Sequence, residues 1–288
     1  DPPSRERQAF LDALRELGYV AGRTIEIMYA SAQNEQDFID DVCRDLLGKK
    51  PALIVVSGAI ATLAATKATA SVPIVFMALG DPVGIGAVRS LARPEANVTG
   101  VSFISSDLAG KRVQLAKDLV PAAKTIAVLW DSRNANARVE SSVTLAAAAR
   151  LQLKAQPIVL ASDADLPHAL NRLQANRSDI LYVVFEGGTV ASNGTLIAEF
   201  GVRHRVPLVS GWRNLTEAGG LISYAPDIPE MFRRSASYVD RILRGAKPTE
   251  LPVEQATTVE LVVNAKTAKA LGITIPPTVL IRADRVVE

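Results

Sequence analysis

The sequence predicts an α/β fold made of two doubly wound, parallel-sheet domains. Short runs rich in aliphatic and β-branched residues alternate with helical patterns along almost the whole chain. Most of these runs are continuously apolar, which is typical of strands covered by helices on both faces. The chain is 288 residues long, more than one hydrophobic core usually supports. Strands that alternate with helices in this way imply βαβ units with right-handed crossovers.

The elements follow from the period of the apolar residues. Strands are predicted at residues 24–30, 52–57, 73–78, 97–103, 125–130, 155–160, 180–185, 206–211 and 220–225. Helices are predicted at residues 5–17, 36–47, 60–70, 108–120, 136–151, 165–175, 189–204 and 229–244. The tail breaks this rhythm: residues 253–264 are predicted as a strand, residues 265–272 as a helix closed by Gly272, and residues 273–288 as extended chain.

The domain boundaries follow from where the pattern restarts. A long amphipathic helix and a new strand begin after residues 101–106. We therefore expect the first domain boundary at this connection, and a C-terminal tail, from Glu254, that returns across both domains. The longest charge-free span, residues 51–66, is too short to cross a bilayer, so we expect a soluble chain.

The composition excludes several classes of partner and cofactor. The 32 Lys and Arg residues and 30 Asp and Glu residues leave a net charge of +2, which argues against a nucleic-acid partner. Cys43 is the single cysteine, so an intrachain disulfide or a cysteine-based zinc cluster is excluded. It lies on the apolar stripe of its helical pattern, and we expect a buried, inert thiol. No cofactor or metal is predicted.

Candidate binding residues lie after the strands, because ligands of open parallel sheets bind beyond the carboxyl ends of the strands. In the N-terminal lobe these are Ser57, Gly58, Ala59 and Thr62, followed by Gly80, Asp81 and Pro82. The first group opens a helix whose N–H groups and hydroxyls suit a carboxylate, or it is a plain tight turn. Pro82 suits the first turn of a second helix, with Asp81 as its cap, either alone or with an added contact to a ligand cation.

Polar and aromatic candidates follow the strands of the C-terminal lobe. The polar candidates are Asp131, Asn134, Asn136, Glu186 and Glu217, and the apolar and aromatic ones are Phe185, Gly211, Trp212 and Tyr224. Ordinary turn chemistry and core packing are the alternative explanations. Together the carboxylates suit an ammonium group, and the aromatic side chains suit a flat or apolar ligand.

Nucleotide-binding and catalytic motifs are missing. A G-x-G-x-x-G motif that starts at Gly84 fails at Arg89, and the chain contains no Walker A sequence. His168 and His204 have no matching nucleophile in a G-x-S-x-G, H-E-x-x-H or C-x-x-C motif. We therefore expect no enzyme activity, although a pair of acids acting as acid and base leaves an amino- or hydroxy-acid isomerase as an alternative.

The sequence resembles the solute-binding proteins of the bacterial ABC-transporter group that includes tryptophan-binding lipoproteins. The resemblance covers nearly the whole chain and is carried by "FLDALRELGYVAGRTIEIMYA", "LIVVSGAIATLAATKATASVPIVFMALGDPVGIGAVRSLARPEANVTGVS", "GGLISYAPDIPEMFRRSASYVDRILRGAKPTELPVEQATTVELVVNAKTAKALGITIPP" and "RADRVVE". The GDPV, VTG and LPVEQ segments are its most specific parts. Such folds normally begin with a strand before the first helix, so we expect that strand and a signal or lipid-anchor segment to precede this numbering.

This resemblance implies a type I periplasmic binding protein fold with the solute held in a ligand cleft between the lobes, which close by a hinge motion. With the predicted elements, it implies an N-terminal lobe of residues 1–102 plus about 226–255, a C-terminal lobe of residues 103–225 plus about 256–288, and three interdomain crossovers. By position it implies a cleft lined by Ser57–Ala59, Asp81, Asn134–Asn136, Glu186 and Gly211-Trp212. The expected solute is an aromatic or branched amino acid, then a small aromatic acid or purine-like base. The expected partner is a membrane permease, and the protein is expected to be a periplasmic or lipid-anchored monomer. A sugar-responsive repressor core is a further alternative, but no helix-turn-helix precedes Arg5.

Overall fold

The computed structural model describes residues 4–30, 38–94, 96–103, 105–185 and 188–288. The chain divides into two compact units. Unit 1 contains Asp1–Ile104 and Pro226–Thr258, and unit 2 contains Ser105–Ala225 and Val259–Glu288. Each unit is built on a parallel sheet flanked by helices, so the predicted α/β fold class is confirmed.

The elements are numbered in chain order. The helices are α1 (Arg5–Glu16), α2 (Ile39–Gly48), α3 (Ala59–Ala68), α4 (Ser105–Leu119), α5 (Ala135–Arg150), α6 (Asp165–Asn176), α7 (Thr189–Ser192), α8 (Gly194–Arg203), α9 (Arg213–Glu217), α10 (Ile228–Leu243), α11 (Ala265–Leu271) and α12 (Pro277–Leu280). The strands are β1 (Ile54–Ser57), β2 (Ile74–Gly80), β3 (Val98–Phe103), β4 (Thr125–Asp131), β5 (Lys154–Leu160), β6 (Ile180–Val183), β7 (Leu208–Ser210), β8 (Ile222–Pro226), β9 (Glu254–Gln255), β10 (Val259–Asn264) and β11 (Arg285–Val287).

Unit 1 has a four-stranded sheet in the order β1-β2-β3-β9, and its neighbouring strands run parallel. The Thr99 hydroxyl donates to the Leu251 carbonyl at 2.7 Å, which joins the two chain segments of this unit. Gly100 lies where β2 and β3 come closest, with a φ of 152°. A Cβ at this position would lie 2.0 Å from the Phe76 carbonyl oxygen, so only glycine fits.

Unit 2 has a seven-stranded sheet in the order β11-β10-β8-β7-β6-β4-β5. The pairs β4–β5, β4–β6, β6–β7 and β7–β8 run parallel, so these strands end at one common edge. Apolar side chains of α4, α5 and α11 cover one face of the sheet, and those of α6 and α8 cover the other. Every residue of β6 is consequently buried, as its continuously apolar sequence predicts.

Two predicted elements are wrong: the strand at residues 24–30 and the helix that was expected to begin at Pro82. Residues 24–30 form no strand, and their pairing is limited to one bridge between Ala21 and Ile25. Thr24 instead closes a turn, because its hydroxyl donates to the Gly18 carbonyl and accepts from the Val20 N–H. Pro82 begins no helix either: the chain after it forms turns, since Gly86 adopts a left-handed φ of 78°.

Several predicted boundaries also change. The segment predicted as one helix at residues 189–204 is two helices that meet at Asn193, whose φ of −107° and ψ of 19° interrupt the first. Residues 253–264 form two strands, β9 in unit 1 and β10 in unit 2, rather than one. The tail predicted as extended contains α12, which begins at Pro277 because proline suits the first helical turn, and β11.

Two smaller predictions are confirmed. Gly272 closes α11 in the left-handed conformation, with a φ of 71°. The Cys43 side chain is 5% exposed and belongs to the apolar core of unit 1. Within the described part of the chain, no helix is both long and apolar enough to cross a membrane.

Candidate functional site

The first predicted loop of unit 1 lies where β1 ends. Ser57 is exposed at the carboxyl edge, and Gly58 precedes α3 with a φ of 80°, without a side-chain cap on the helix. The first N–H groups of α3, from Ala59 onward, therefore lack an intrahelical acceptor. Thr62 is fully buried, and its hydroxyl donates to the Gly58 carbonyl at 2.6 Å. The backbone, rather than Thr62, carries the hydrogen-bonding capacity of this loop.

The second loop of unit 1 follows β2, beside the first. Gly80 and Pro82 are buried, and Asp81 is partly exposed. Asp81 Oδ1 accepts from the Gly84 N–H at 2.9 Å, so this carboxylate caps a turn. Asp81 and Ala78 both have positive φ values, 38° and 48°, and the register between β2 and β3 shifts here. Such bulges and left-handed residues are costly and often occur beside functional sites.

The polar loop after β4 is tightly engaged within unit 2. Asn134 is the N-cap of α5, and its side chain accepts from the N–H groups of Asn136 and Ala137. Asp131 is fully buried, and its Oδ2 atom forms an ion pair with Arg133 Nη2 at 2.6 Å. Asp131 and Asn134 therefore have structural partners, whereas the buried Asn136 Oδ1 atom has no hydrogen-bond partner among the described residues.

Arg133 connects three loops at this edge. Its Nη2 donates to Asp163 and to the Thr189 hydroxyl, both at 2.6 Å, in addition to Asp131. The Thr189 hydroxyl lies 3.0 Å from Asp131 Oδ2 and also contacts Asp163. Burial alone would raise the pKa of Asp163, but its bonds to Thr189 and Arg133 lower that pKa overall. The loops after β4, β5 and β6 are thus held together.

An aromatic pair follows the ends of β6 and β7. The rings of Phe185 and Trp212 meet edge to face, with their centroids 4.4 Å apart and an interplanar angle of 62°. Gly211 allows this contact, because a Cβ there would lie 2.6 Å from Phe185 Cγ. Phe185 is buried and Trp212 partly exposed. The indole Nε1 of Trp212 is buried, and no residue that the structure describes accepts a hydrogen bond from it.

A buried ion pair contacts Phe185 of the aromatic pair. Arg112 of α4 and Glu140 of α5 are 0% and 1% exposed, and Arg112 Nη1 lies 2.8 Å from Glu140 Oε1. Arg112 Nε donates to the Tyr224 carbonyl at 2.7 Å, and the Tyr182 hydroxyl donates to Glu140 at 2.9 Å. Burial alone would lower the pKa of Arg112, but Tyr182 and Glu140 raise it. Burial, followed by Glu140, raises the pKa of Tyr182.

The remaining predicted site residues are Tyr224, Glu217 and Glu186. Tyr224 is 8% exposed, and it contributes its backbone carbonyl to Arg112. Glu217 forms an ion pair with Arg213 at 2.9 Å and lies 3.5 Å from Arg285, so its carboxylate is already compensated. Glu186 lies outside the described residues.

Sequence reasoning missed the Arg112–Glu140 pair and Arg133. Arg112 shares its helical stripe with Leu108, Leu115 and Leu119, so a charge on an apolar stripe was the available signal. Glu140 lies on the buried face of α5 in the same way. No pattern within one element identifies the partner on another, which is why the pairing itself was not predictable.

Known proteins share this fold across almost the entire chain. A crystal structure of a conserved domain protein from Vibrio cholerae is 32% identical, with a TM-score of 0.92, covering 98% of this chain and 94% of that one. The ABC domain from Streptococcus pneumoniae in complex with L-Trp is 27% identical, with the same TM-score and coverage. A tyrosine-binding protein of Clostridioides difficile strain R20291 is 25% identical over 93% of this chain and 76% of its own length.

The profile of one protein family matches nearly every residue. It is described as ABC transporter substrate binding protein, and it matches residues 2–287. The fold of these relatives is the type I periplasmic binding protein fold, as the sequence resemblance implied. The family consists of substrate-binding proteins and not enzymes, so the isomerase alternative is wrong. The chain belongs to the ABC transporter substrate-binding protein family.

Proposed function

We propose that this protein binds an aromatic L-amino acid and delivers it to the membrane transporter of an ABC importer. The observation that carries the proposal is the edge-to-face pair of Phe185 and Trp212 at the carboxyl edge of the unit 2 sheet. Paired aromatic rings offer a solute ring both a flat face and a C–H edge. The relatives support this choice, since one was crystallised with L-Trp and another is named for tyrosine.

Within this proposal, the polar ends of the amino acid meet the strand-end loops. In unit 1 we assign Ser57, Gly58, Ala59 and Asp81 to the solute, since uncapped N–H groups suit a carboxylate and an aspartate suits an ammonium. In unit 2 we assign Asn136, whose buried Oδ1 has no partner within the described part of unit 2, to a solute donor. The expectation that a hinge motion closes both units around the solute stays a prediction, and small-angle scattering with and without solute tests it.

The experiment is calorimetric titration with L-Trp, L-Tyr, L-Phe, L-Leu, L-Val and benzoate. We expect the aromatic amino acids to bind, the aliphatic ones to bind at least about tenfold more weakly, and benzoate to bind worst. Trp212→Leu should weaken aromatic binding about tenfold or more, because aromatic anchors dominate binding energy. Asp179→Asn, at the opposite edge of the same sheet, is the control. Equal affinity for L-Leu and L-Trp would contradict the proposal.

Location and assembly form the remaining part of the proposal. Substrate-binding proteins of ABC transporters act outside the cytoplasm and bring a small-molecule ligand to a membrane transporter. We further propose that this protein is a monomer that is free in the periplasm or attached to the outer face of the membrane by a lipid. Analytical ultracentrifugation and fractionation of cells that express the native gene test these two statements.

A further inference from the structure

The pair formed by Arg112 and Glu140 is unusual because it places two charges inside the apolar core of unit 2. Neither side chain is more than 1% exposed. A buried ion pair seldom stabilises a fold more than apolar side chains of similar size would, because removing both charges from water is costly. Stability alone is therefore a poor reason for its presence, and the contacts of the pair indicate what it does.

Glu140 holds the chain where β6 ends. Its Oε1 atom accepts from Arg112 Nη1 at 2.8 Å, from the Tyr182 hydroxyl at 2.9 Å and from the Phe185 N–H at 3.1 Å. Phe185 lies two residues beyond the last residue of β6. The carboxylate thus fixes the position of the Phe185 backbone.

Arg112 acts on the ring of the same residue. Its guanidinium carbon lies 5.5 Å from the centroid of the Phe185 ring, within the range of a cation–π interaction. Arg112 Nη2 is buried and has no hydrogen-bond acceptor in the described part of the chain. The cation–π contact with Phe185 is thus made by a guanidinium whose hydrogen-bonding capacity is not fully used by the described residues.

The contacts continue from Phe185 to Trp212. The Phe185 ring lies against Gly211, where no Cβ fits, and its edge-to-face contact with Trp212 spans 4.4 Å between centroids. A displacement of Phe185 must therefore be transmitted to Gly211 and to the indole of Trp212. This series of contacts leads from a buried charge pair to the aromatic side chain that is partly exposed at the sheet edge.

We infer that Arg112 and Glu140 are positioning residues, which set the arrangement of Phe185 and Trp212 and thereby the selectivity for a flat aromatic ring. This inference rests on the proposed function for its ligand, although the positioning itself is a property of the protein without solute. It predicts that loss of the pair changes the ratio of affinities for different solutes, whereas general destabilisation lowers the affinity for every solute by a similar factor.

The test replaces both charges together, as Arg112→Met with Glu140→Met, since apolar residues of similar volume often preserve the stability of a buried pair. Titration compares L-Phe with L-cyclohexylalanine, which matches its bulk but lacks aromaticity. We expect the preference for L-Phe to fall at least about tenfold, with little change for L-cyclohexylalanine. The single variant Glu140→Gln keeps an acceptor oxygen and should retain most of the preference.

Two controls separate the possible outcomes. Asp179→Asn removes a carboxylate that accepts from Lys124 and Thr125 at the other edge of the sheet, so it lowers stability and should leave the preference unchanged. The second control measures acrylamide quenching of tryptophan fluorescence without solute. In a Trp130→Phe background the signal comes from Trp212 alone, and adding the double substitution should increase its quenching.

The outcomes then have distinct meanings. Unchanged quenching together with an unchanged preference overturns the positioning role, and so does an equal loss of affinity for both solutes. Increased quenching in a protein whose unaltered form binds no aromatic amino acid supports the positioning role and refutes the proposed function.

Discussion

Replacing Gly211 by alanine tests the packing of the aromatic pair with the smallest possible change. The added Cβ would lie 2.6, 2.7 and 2.8 Å from three atoms of Phe185, including its own Cβ. The ring cannot rotate away from a contact at its Cβ, so the backbone at residue 185 or residue 211 has to move. Restoring an ordinary contact requires a shift of about 0.8 Å, and overpacking of this kind costs about 1–3 kcal/mol.

A second glycine in the same unit predicts the opposite sign. Gly110 lies inside α4, and a Cβ there would meet no described atom within 4 Å. Alanine at this position should therefore stabilise unit 2 by about 0.5–1 kcal/mol, since glycine is a poor helix former. The same chemical change is expected to destabilise unit 2 at Gly211 and to stabilise it at Gly110.

The assay is urea unfolding followed by tryptophan fluorescence. The chain has two tryptophans, Trp130 and Trp212, and both belong to unit 2, so the signal reports the unit that carries the changes. Gly211→Ala should lower the urea midpoint and Gly110→Ala should raise it. An unchanged or higher midpoint for Gly211→Ala would refute the contact between Gly211 and Phe185, and a lower midpoint for Gly110→Ala would refute the open space at Gly110.

Three further predictions concern other parts of the chain. Burial alone would raise the pKa of Asp179, but hydrogen bonds from Lys124 and Thr125 lower it, so this carboxylate stabilises the protein above the ordinary carboxyl pKa and stops doing so as the pH falls through its lower pKa in the native state. The difference in free energy of unfolding between the unaltered protein and Asp179→Asn, from urea titrations, should therefore shrink between about pH 6 and pH 3, and a constant difference would contradict this. Gly100→Ala should destabilise unit 1 by about 3 kcal/mol, because the new Cβ meets a backbone oxygen that cannot rotate away, and an unchanged melting temperature by circular dichroism would count against that packing. Burial raises the pKa of the Cys43 thiol, so a thiol reagent at neutral pH should label it only after urea is added, whereas rapid labelling of the native protein would show that it is accessible.

The fold was predictable where the sequence pattern reflects burial directly. A continuous apolar run such as residues 180–185 identifies a strand because both faces of that strand are covered. Residues 24–30 are also rich in β-branched and apolar residues but form no strand, because a strand needs a partner as well and Thr24 is engaged in a turn. The turns after Pro82 depend on the left-handed backbone of Gly86, which competes with the helical preference of the residues around it.

The candidate site was predictable as a set of loops but not as a set of contacts. The position of Asn134 and Trp212 after strands of a parallel sheet was enough to place them at the carboxyl edge. The role of Asp131 was not evident, since its partner Arg133 is recruited by Asp163 and Thr189 from loops distant in sequence. Contacts of that kind depend on the assembled sheet, and the local sequence contains no record of them.

The discontinuous make-up of unit 1 affects how the chain reaches its native state. Strand β3 pairs with β9, and the Tyr19 hydroxyl bonds Asp240 across 221 residues of sequence. A ribosome has therefore produced the chain as far as β9 before unit 1 can complete its sheet. A fragment that stops at residue 104 would expose the unpaired edge of β3 and the uncovered face of α1, and such surfaces favour aggregation. Expression of single domains should accordingly join residues 1–104 to residues 226–258 through a short linker instead of truncating the chain.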